Sequence, residues 1–481
     1  MKSFLKALVL LLLALGAAAF LLATFRVGPV PEIRIESRAR ALGSKGRVHV
    51  KVSAPGGRGL CGVRVEIEQD GRATVLARTS DVPRRAWALA GERSLARELD
   101  VEAGRGAVPG LREGEAVVRV VAERAGTWLR HPEPAKAEVR LPVRLSPPAL
   151  SVVSTQHFVG QGGSGVVVYR VGATSARDGV RAGAWFFPGA PLPGRPSDRF
   201  ALFGVPWDLD DDGAIRLVAE DDAGNAAELA FVERFARRPP ASDRIELQPE
   251  FLERVVAEIR QQTPSLPDRG SPLENYLEIN RELRQANAQE LVALARRSPA
   301  AFLWKEPFLP LRGAQVMSHF ADRRTYVYEG REVDHQTHLG YDLASTARAP
   351  VPAANAGRVA LARYFGIYGN AVVVDHGFGL LTLYAHLSSI DVKEGQDVAR
   401  GATIGRTGKT GLAAGDHLHF TTLVGGLPVT PTEWWDPHWI RDRVARPLAP
   451  AVADEGPGRA PARRAPSKAP SRGAPRGRRR R

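Results

Sequence analysis

A single cysteine, Cys61, occurs in 481 residues, so no intramolecular disulfide can form and no thiolate cluster can hold a metal. A buried thiol is its simplest reading, and any metal here has to be held by histidine and carboxylate. Other signatures are missing too. Gly408-Lys409-Thr410 invites a phosphate-loop reading, but the earlier glycine that loop needs falls on Thr403. No GxSxG elbow and no HExxH motif is present. Aromatic residues are absent from 446–481, where Pro, Ala, Gly and Arg dominate, and such a segment cannot bury enough apolar surface to fold. This tail carries eleven Lys or Arg against Asp454 and Glu455, a surplus of nine within a formal net charge of +15. The rest of the chain is therefore only mildly basic.

The amino terminus begins Met1-Lys2-Ser3-Phe4-Leu5-Lys6 and continues as an uncharged run from Ala7 to Phe25, stopped by Arg26. Nineteen residues at ~1.5 Å each span about 28 Å, close to the hydrocarbon thickness of a bilayer. Lys2 and Lys6 predict that this end stays in the cytoplasm and the remainder is exported. Ala17-Ala18-Ala19 offers a peptidase site, so a cleaved signal peptide is the alternative, although Phe20-Leu21-Leu22 carries the apolar run past it. On either reading the chain works outside the cytoplasm, in the cell envelope. There the cationic tail is drawn to anionic envelope polymers, and export argues against nucleic acid as its partner.

Beyond the apolar run the periodicity is that of strands. Val48-His49-Val50-Lys51-Val52 and Val63-Arg64-Val65-Glu66-Ile67-Glu68 alternate apolar and polar residues, with later strands at 116–122 and 139–145. A β-sandwich over 29–146 follows, in which His49 and His131 are surface residues. Ser146-Pro147-Pro148 marks a boundary. Strands at 166–171, 185–187 and 215–219 then predict a second, immunoglobulin-like sandwich over 147–238. Asp208-Leu209-Asp210-Asp211-Asp212-Gly213 resembles the start of a calcium loop, but Ala219 stands where a bidentate acid is needed, and a solvated hairpin turn is the better reading. From 248 to 297 the period becomes helical. Phe251, Leu252, Val255, Val256 and Ile259 share one face, and Leu273, Tyr276, Leu277, Ile279 and Leu283 another, with Pro264, Pro267 and Pro272 between them. This predicts a helical spacer over 239–304.

Eight of the eleven histidines lie between His319 and His438. His417 and His419, two apart on a strand, project from one face, while His338 and Asp342 offer a nitrogen and an oxygen donor from another segment. Catalytic zinc keeps three protein ligands and leaves a fourth position open, and His338, Asp342 and His419 meet that count. The order of these motifs resembles the lysostaphin-type, LytM-like zinc endopeptidases that cut peptidoglycan cross-bridges. The resemblance covers about 311–435. It rests on His338 to Asp342, on Tyr384-Ala385-His386-Leu387, on His417-Leu418-His419-Phe420, and on the intervening segments 368–377 and 392–398. It implies an antiparallel β-sheet peptidase domain over 305–443, zinc on His338, Asp342 and His419, and His386 and His417 as the two further active-site histidines. Thr421 departs from it, since many relatives carry Glu after HLHF, but no ligand is lost. His376 reads as structural, while His319, His335 and His438 carry no assignment, a rim position being open to His335.

The whole chain is thus expected to be multidomain and mainly β, with a membrane helix at 1–28 and a disordered basic tail at 444–481. The expected function is a membrane-anchored zinc endopeptidase acting on peptidoglycan peptides, with envelope protein partners open to the sandwiches. The alternative is a LytM-like regulator that activates a separate wall amidase without catalysis of its own. A latent enzyme whose upstream domains cover the groove is the third.

Overall fold

Alternation of valine with polar residues makes Arg47–Ser53 a half-buried strand: Val48, Val50 and Val52 are buried, and Lys51 faces solvent. It lies between Glu32–Ser37 and Ala96–Glu102 in an antiparallel three-stranded sheet. A four-stranded sheet, ordered Arg72–Ser80, Leu60–Gln69, Gly114–Arg124, Ala135–Val143, sends Val65, Ile67, Val118 and Val120 into the same core. The computed structural model describes residues 2–449 except positions 38, 87, 89 and 128. Of the basic tail expected to be disordered over 444–481, residues 444–445 instead close a π-helical turn and Arg446–Leu448 form a short helix, while 450–481 lie outside the described residues.

Two more four-stranded sheets follow. One is ordered Ala190–Leu192, Arg195–Gly204, Ser164–Val171, Leu150–Val152, and the other Trp185–Pro188, Ser175–Ala182, Ile215–Asp221, Ala226–Leu229. Val166, Val168, Val180, Phe203 and Leu217 fill the space they share. That core does not stop at the edge of the sheets, because it runs on through Leu343, Tyr384, Phe420 and Trp434 of the C-terminal region. The Pro147-Pro148 break is followed by a body that packs directly on the C-terminal sheet.

A half-buried acid marks this contact. Glu433 on helix α5 (Pro431–Trp435) accepts from the Ser164 backbone N–H at 2.8 Å and from its hydroxyl at 2.9 Å, and Trp434 Nε1 donates to the same hydroxyl at 3.1 Å. Gly163 permits the approach, since a Cβ there would stand 2.4 Å from Glu433 Oε1. Burial raises the carboxyl from 4.5 to about 7, against the pull of the Ser164 bonds and Arg238. A folded-state pKa above the unfolded one contributes stability fully below ~4.5 and loses it as pH climbs through ~7. At ~1.4 kcal/mol per pKa unit the loss is on the order of 3 kcal/mol. Wild-type protein is therefore expected to lose more thermal stability than Glu433→Gln between pH 4.5 and 7.5. Parallel Tm curves for the two would refute this.

At the amino terminus, α1 (Lys2–Phe25) has 24 residues and spans about 36 Å. Among the described residues its Ser3–Phe25 stretch is the only helix long and apolar enough to cross a membrane, a property anchors share with signal sequences.

Three helices precede the C-terminal sheet. Helix α2 (Pro249–Gln262) starts on a proline and buries Leu252, Val255, Val256 and Ile259. Helix α3 (Pro272–Glu278) is capped by Ser271, whose hydroxyl accepts from Glu274 N–H. A π-helical turn, Ile279–Leu283, leads into α4 (Arg284–Ala295). Residues 242–246, within the expected spacer, are instead a strand parallel to Asp322–Tyr328. Pro239 and Pro240 keep the preceding chain extended.

The C-terminal sheet has eight strands. Its path runs Gln315–Ser318, Tyr341–Ala344, Leu418–Val424, Leu380–Leu387, Asn370–Asp375, Gly357–Tyr364, Asp397–Val398, with Leu427–Val429 added beside Leu418–Val424. Leu291 and Ala295 of α4 cover one face over Leu361, Val373, Leu381, Leu383 and Leu423. Val372, Val374, Tyr384 and Phe420 face the other way, into the long shared core. A strand buried on both faces explains why Leu380–Leu387 and Leu418–Val424 are buried throughout.

Candidate metal centre

Strand register brings the donors together. Asp342 pairs directly with His419, and Ala385 pairs with His419 from the other side. His338 ends the strand Arg331–His338, opposite Asp322. His338 Nε2 stands 3.0 Å from Asp342 Oδ1 and 3.1 Å from His419 Nδ1, and His419 Nδ1 stands 2.9 Å from Asp342 Oδ1. All three residues are largely buried. Among the described residues this trio is the only group of three His, Cys, Asp or Glu whose ligand atoms converge closely enough to hold a metal ion.

The remaining ring nitrogens fix which atoms carry lone pairs. His338 Nδ1 donates to the His319 carbonyl at 2.9 Å, which leaves Nε2 unprotonated. Thr421 donates its hydroxyl to the Leu339 carbonyl at 2.9 Å and so accepts from His419 Nε2–H at 3.0 Å, which leaves His419 Nδ1 bare. Two imidazole lone pairs and one carboxylate oxygen thus face one another with no hydrogen between them, and only a cation or an added proton relieves their repulsion. An N₂O donor set without sulfur fits a borderline metal of the zinc type. Gly340 makes the arrangement possible, because a Cβ there would lie within 2.7 Å of the His419 ring and of Thr421 Oγ1.

Asp342 is oriented from behind. Arg324 donates to Asp342 Oδ2 at 2.8 Å and to Ser318 Oγ at 2.9 Å, leaving Oδ1 to the imidazoles. Without a metal an added proton takes that place: burial pushes the Asp342 carboxyl up, but bonds from His338, His417 and His419, once one of their facing nitrogens is protonated, outweigh it and hold the group well below the carboxylate range. Burial holds His419 down at about 4 against the opposing pull of Asp342.

His386 and His417 adjoin the trio, with ring centroids 4.9 Å apart and His386 5.7 Å from His419. His386 reaches it through a bulge: the register shifts between Asn370 and Val372, and His386 adopts φ +62°. That left-handed backbone costs a non-glycine residue of order 1 kcal/mol and turns the ring to the face that Ala385 and His419 share. Its Nδ1 donates to the Thr410 carbonyl at 2.8 Å, and His417 Nδ1 donates to the Gly415 carbonyl at 2.8 Å. Both Nε2 atoms are therefore bare, and that of His417 lies 3.5 Å from Asp342 Oδ1. Burial, reinforced by His417 and His419, depresses His386 well below the ordinary imidazole value. Burial lowers His417 as well, but Asp342 overcomes it and raises the group.

The other histidines fall elsewhere. His376 is fully buried, donating to the Ala356 carbonyl at 2.8 Å and packed edge-on against Phe308. His319 serves the centre through its carbonyl, and His438 is exposed beside Asp436. His335 lies on the wall of a cavity of about 960 Å³ that ends at His338 and His419. A second cavity, about 350 Å³, opens onto His386 and His417 and is walled by Phe251 and Tyr276 of the helices. Arg284, Arg324, Tyr368, His338 and His419 line both, so the trio sits where the two meet. Sequence reasoning missed Arg324 and the part played by Thr421, although the Thr421 departure was the visible trace of the latter.

Residues 336–431 match peptidase family M23. Over 162 residues the chain is 34% identical to the peptidoglycan DD-endopeptidase ShyA of Vibrio cholerae serotype O1, covering 34% of this chain and 35% of that protein. Over 94 residues it is 43% identical to the DD-carboxypeptidase/endopeptidase Mpg of Neisseria meningitidis serogroup B, covering 20% and 22%. The chain thus spans about a third or less of the length of these curated relatives. The catalytic domain of lysostaphin from Staphylococcus simulans aligns with 30% of this chain and 96% of its own, at 23% identity and a TM-score of 0.20.

Proposed function

We propose, from the match of residues 336–431 to peptidase family M23, that the protein is a zinc-dependent endopeptidase hydrolysing peptide cross-links of peptidoglycan. The convergence of three lone-pair atoms within 3.1 Å, beside two further imidazoles with bare Nε2 atoms, is the observation that carries this reading. The named relatives, ShyA a peptidoglycan DD-endopeptidase and Mpg a DD-carboxypeptidase/endopeptidase, support the substrate class. The fold is taken as two immunoglobulin-like sandwiches and a helical spacer ahead of the peptidase domain, with α1 as inner-membrane anchor and the rest outside the cytoplasm.

His338, Asp342 and His419 hold the metal in this proposal. Zinc in that position supplies Lewis-acid polarisation of a carbonyl and acidification of water. His386 and His417 divide the proton work. One Nε2 accepts a proton from the attacking water and later returns it to the leaving amine, and the other, protonated, donates to the oxyanion. His386, neutral and enclosed, suits acceptance. His417, held closer to its charged form by Asp342, suits donation.

Thr421 sets the His419 tautomer. Thr421→Val removes the acceptor for His419 Nε2–H, and zinc affinity is expected to fall roughly 10–100-fold, the usual cost of losing such an outer partner. Competition titration against a zinc chelator checks this, and an unchanged Kd would show that Thr421 is only packing.

The direct test uses full-length protein. It is expected to bind about one zinc per chain and to release soluble muropeptides from purified peptidoglycan. Zinc binding with cross-linked muropeptides left intact, together with stimulation of an amidase, would establish the regulator reading instead.

A further inference from the structure

We propose that the second sandwich forms a saccharide subsite of the substrate groove, with Trp185 and Trp207 receiving a sugar ring of the glycan strand while the attached peptide reaches the metal centre. The assignment rests on the peptidoglycan reading of that centre.

The first argument is continuity. One cavity of about 960 Å³ is lined by His338, Leu339 and His419 and also by Trp185, Pro206 and Trp207. Its volume is at the upper end for ligand sites and exceeds what a cross-linked dipeptide alone would fill. A substrate with its scissile bond at the trio and its chain along the cavity meets the two indoles.

The second argument is chemical. Trp185 and Trp207 are the only tryptophans on this wall and both keep part of their surface. They pack against the shared core from its margin. Asp208 and Asp210 stand beside them in the same lining, with Gln161 close by. A pyranose has an apolar C–H face, which seeks an aromatic plane, and a rim of hydroxyls and N-acetyl groups, which seek carboxylates and amides. Peptide backbone would use the second feature but has little use for two large aromatic faces.

The third argument is charge. Arg323 sits opposite Thr337, one residue from His338, and Arg284 lines the cavity where it meets the centre. Arg284 bonds Asn280 through its carbonyl and its amide oxygen. Among the described residues no carboxylate lies in ion-pair range of either arginine. Two cations and two indoles on the wall of one cavity with His338 and His419 match a stem that carries both free carboxylates and a sugar. The helical segment and the second sandwich would then both read the substrate, which accounts for their direct packing on the peptidase sheet.

The test pairs two soluble ligands: a disaccharide-bearing cross-linked muropeptide, and the same cross-linked peptide freed of its sugars by an amidase. Isothermal titration and steady-state cleavage are run on full-length zinc-loaded wild type, Trp185→Ala/Trp207→Ala and Trp185→Phe/Trp207→Phe. Wild type is expected to bind the sugar-bearing ligand at least tenfold more tightly, and the alanine pair to lose that preference through KM rather than kcat. The phenylalanine pair should restore most of it. Equal affinity of wild type for both ligands, or an equal loss on both in the alanine pair, overturns the proposal. Tryptophan-dependent binding of the sugar-bearing ligand without cleavage keeps the subsite and rejects the endopeptidase reading instead.

Discussion

Replacing His419 by alanine is expected to abolish both zinc retention and muropeptide release. Its Nδ1 is the atom within 3.1 Å of both His338 Nε2 and Asp342 Oδ1, so its loss leaves two ligands where a catalytic site needs three. The Asp342 carboxylate also loses one of the imidazoles that offset its burial, while Arg324 still occupies its other oxygen. Metal polarisation contributes several kcal/mol to such a reaction, so activity should fall by about a thousandfold or more. The fold should survive, because the ring faces the cavities and the shared core lies on the opposite face of Leu418–Val424. Zinc content by mass spectrometry, muropeptide release by chromatography and far-UV dichroism read the three claims separately. A variant that is folded, retains one zinc per chain and still releases muropeptides would remove His419 from the metal set.

What could be read in the sequence was what local spacing encodes. The period of two in His417-Leu418-His419 and the four-residue spacing from His338 to Asp342 announce donors on short segments, and strand pairing of Asp342 with His419 then brings them together. The helical faces at 251–259 and 273–283 likewise follow from a period that a window of ten residues displays. Contacts between distant segments left no such trace. Arg324 looks like any surface arginine of an alternating strand until its partner, eighteen residues on, is known. The bulge that turns His386 into the site depends on a register shift against Asn370–Asp375, and nothing in Tyr384-Ala385-His386-Leu387 signals it. Composition breaks such as Pro147-Pro148 suggest independent modules, yet one core runs from Val166 to Trp434. Apolar alternation tells which face is buried but not what covers it. The parallel pairing of 242–246 with 323–327 escaped for the same reason, since its partner lies about eighty residues away.

His417→Ala and His386→Ala are expected to separate catalysis from metal binding. Neither ring nitrogen that faces the site lies in the close trio: His417 Nε2 is 3.5 Å from Asp342 Oδ1, and His386 is anchored through Thr410 on a bulged strand. Each variant should therefore keep about one zinc per chain while muropeptide release falls by roughly 10²–10⁴, the range for a positioned proton-transfer group. His417→Ala should also relax Asp342, whose depressed carboxyl depends partly on that imidazole, so a modest weakening of zinc affinity accompanies its loss of rate. His386→Ala has no such bond to lose and should leave affinity unchanged. Because the two rings act as a unit, one taking the proton of the attacking water while the other donates to the forming oxyanion, the double variant should be little slower than the worse single one. Losses that multiply in full would mean that the rings act independently. Loss of zinc from His386→Ala would make that residue a ligand and leave His417 alone to move the proton.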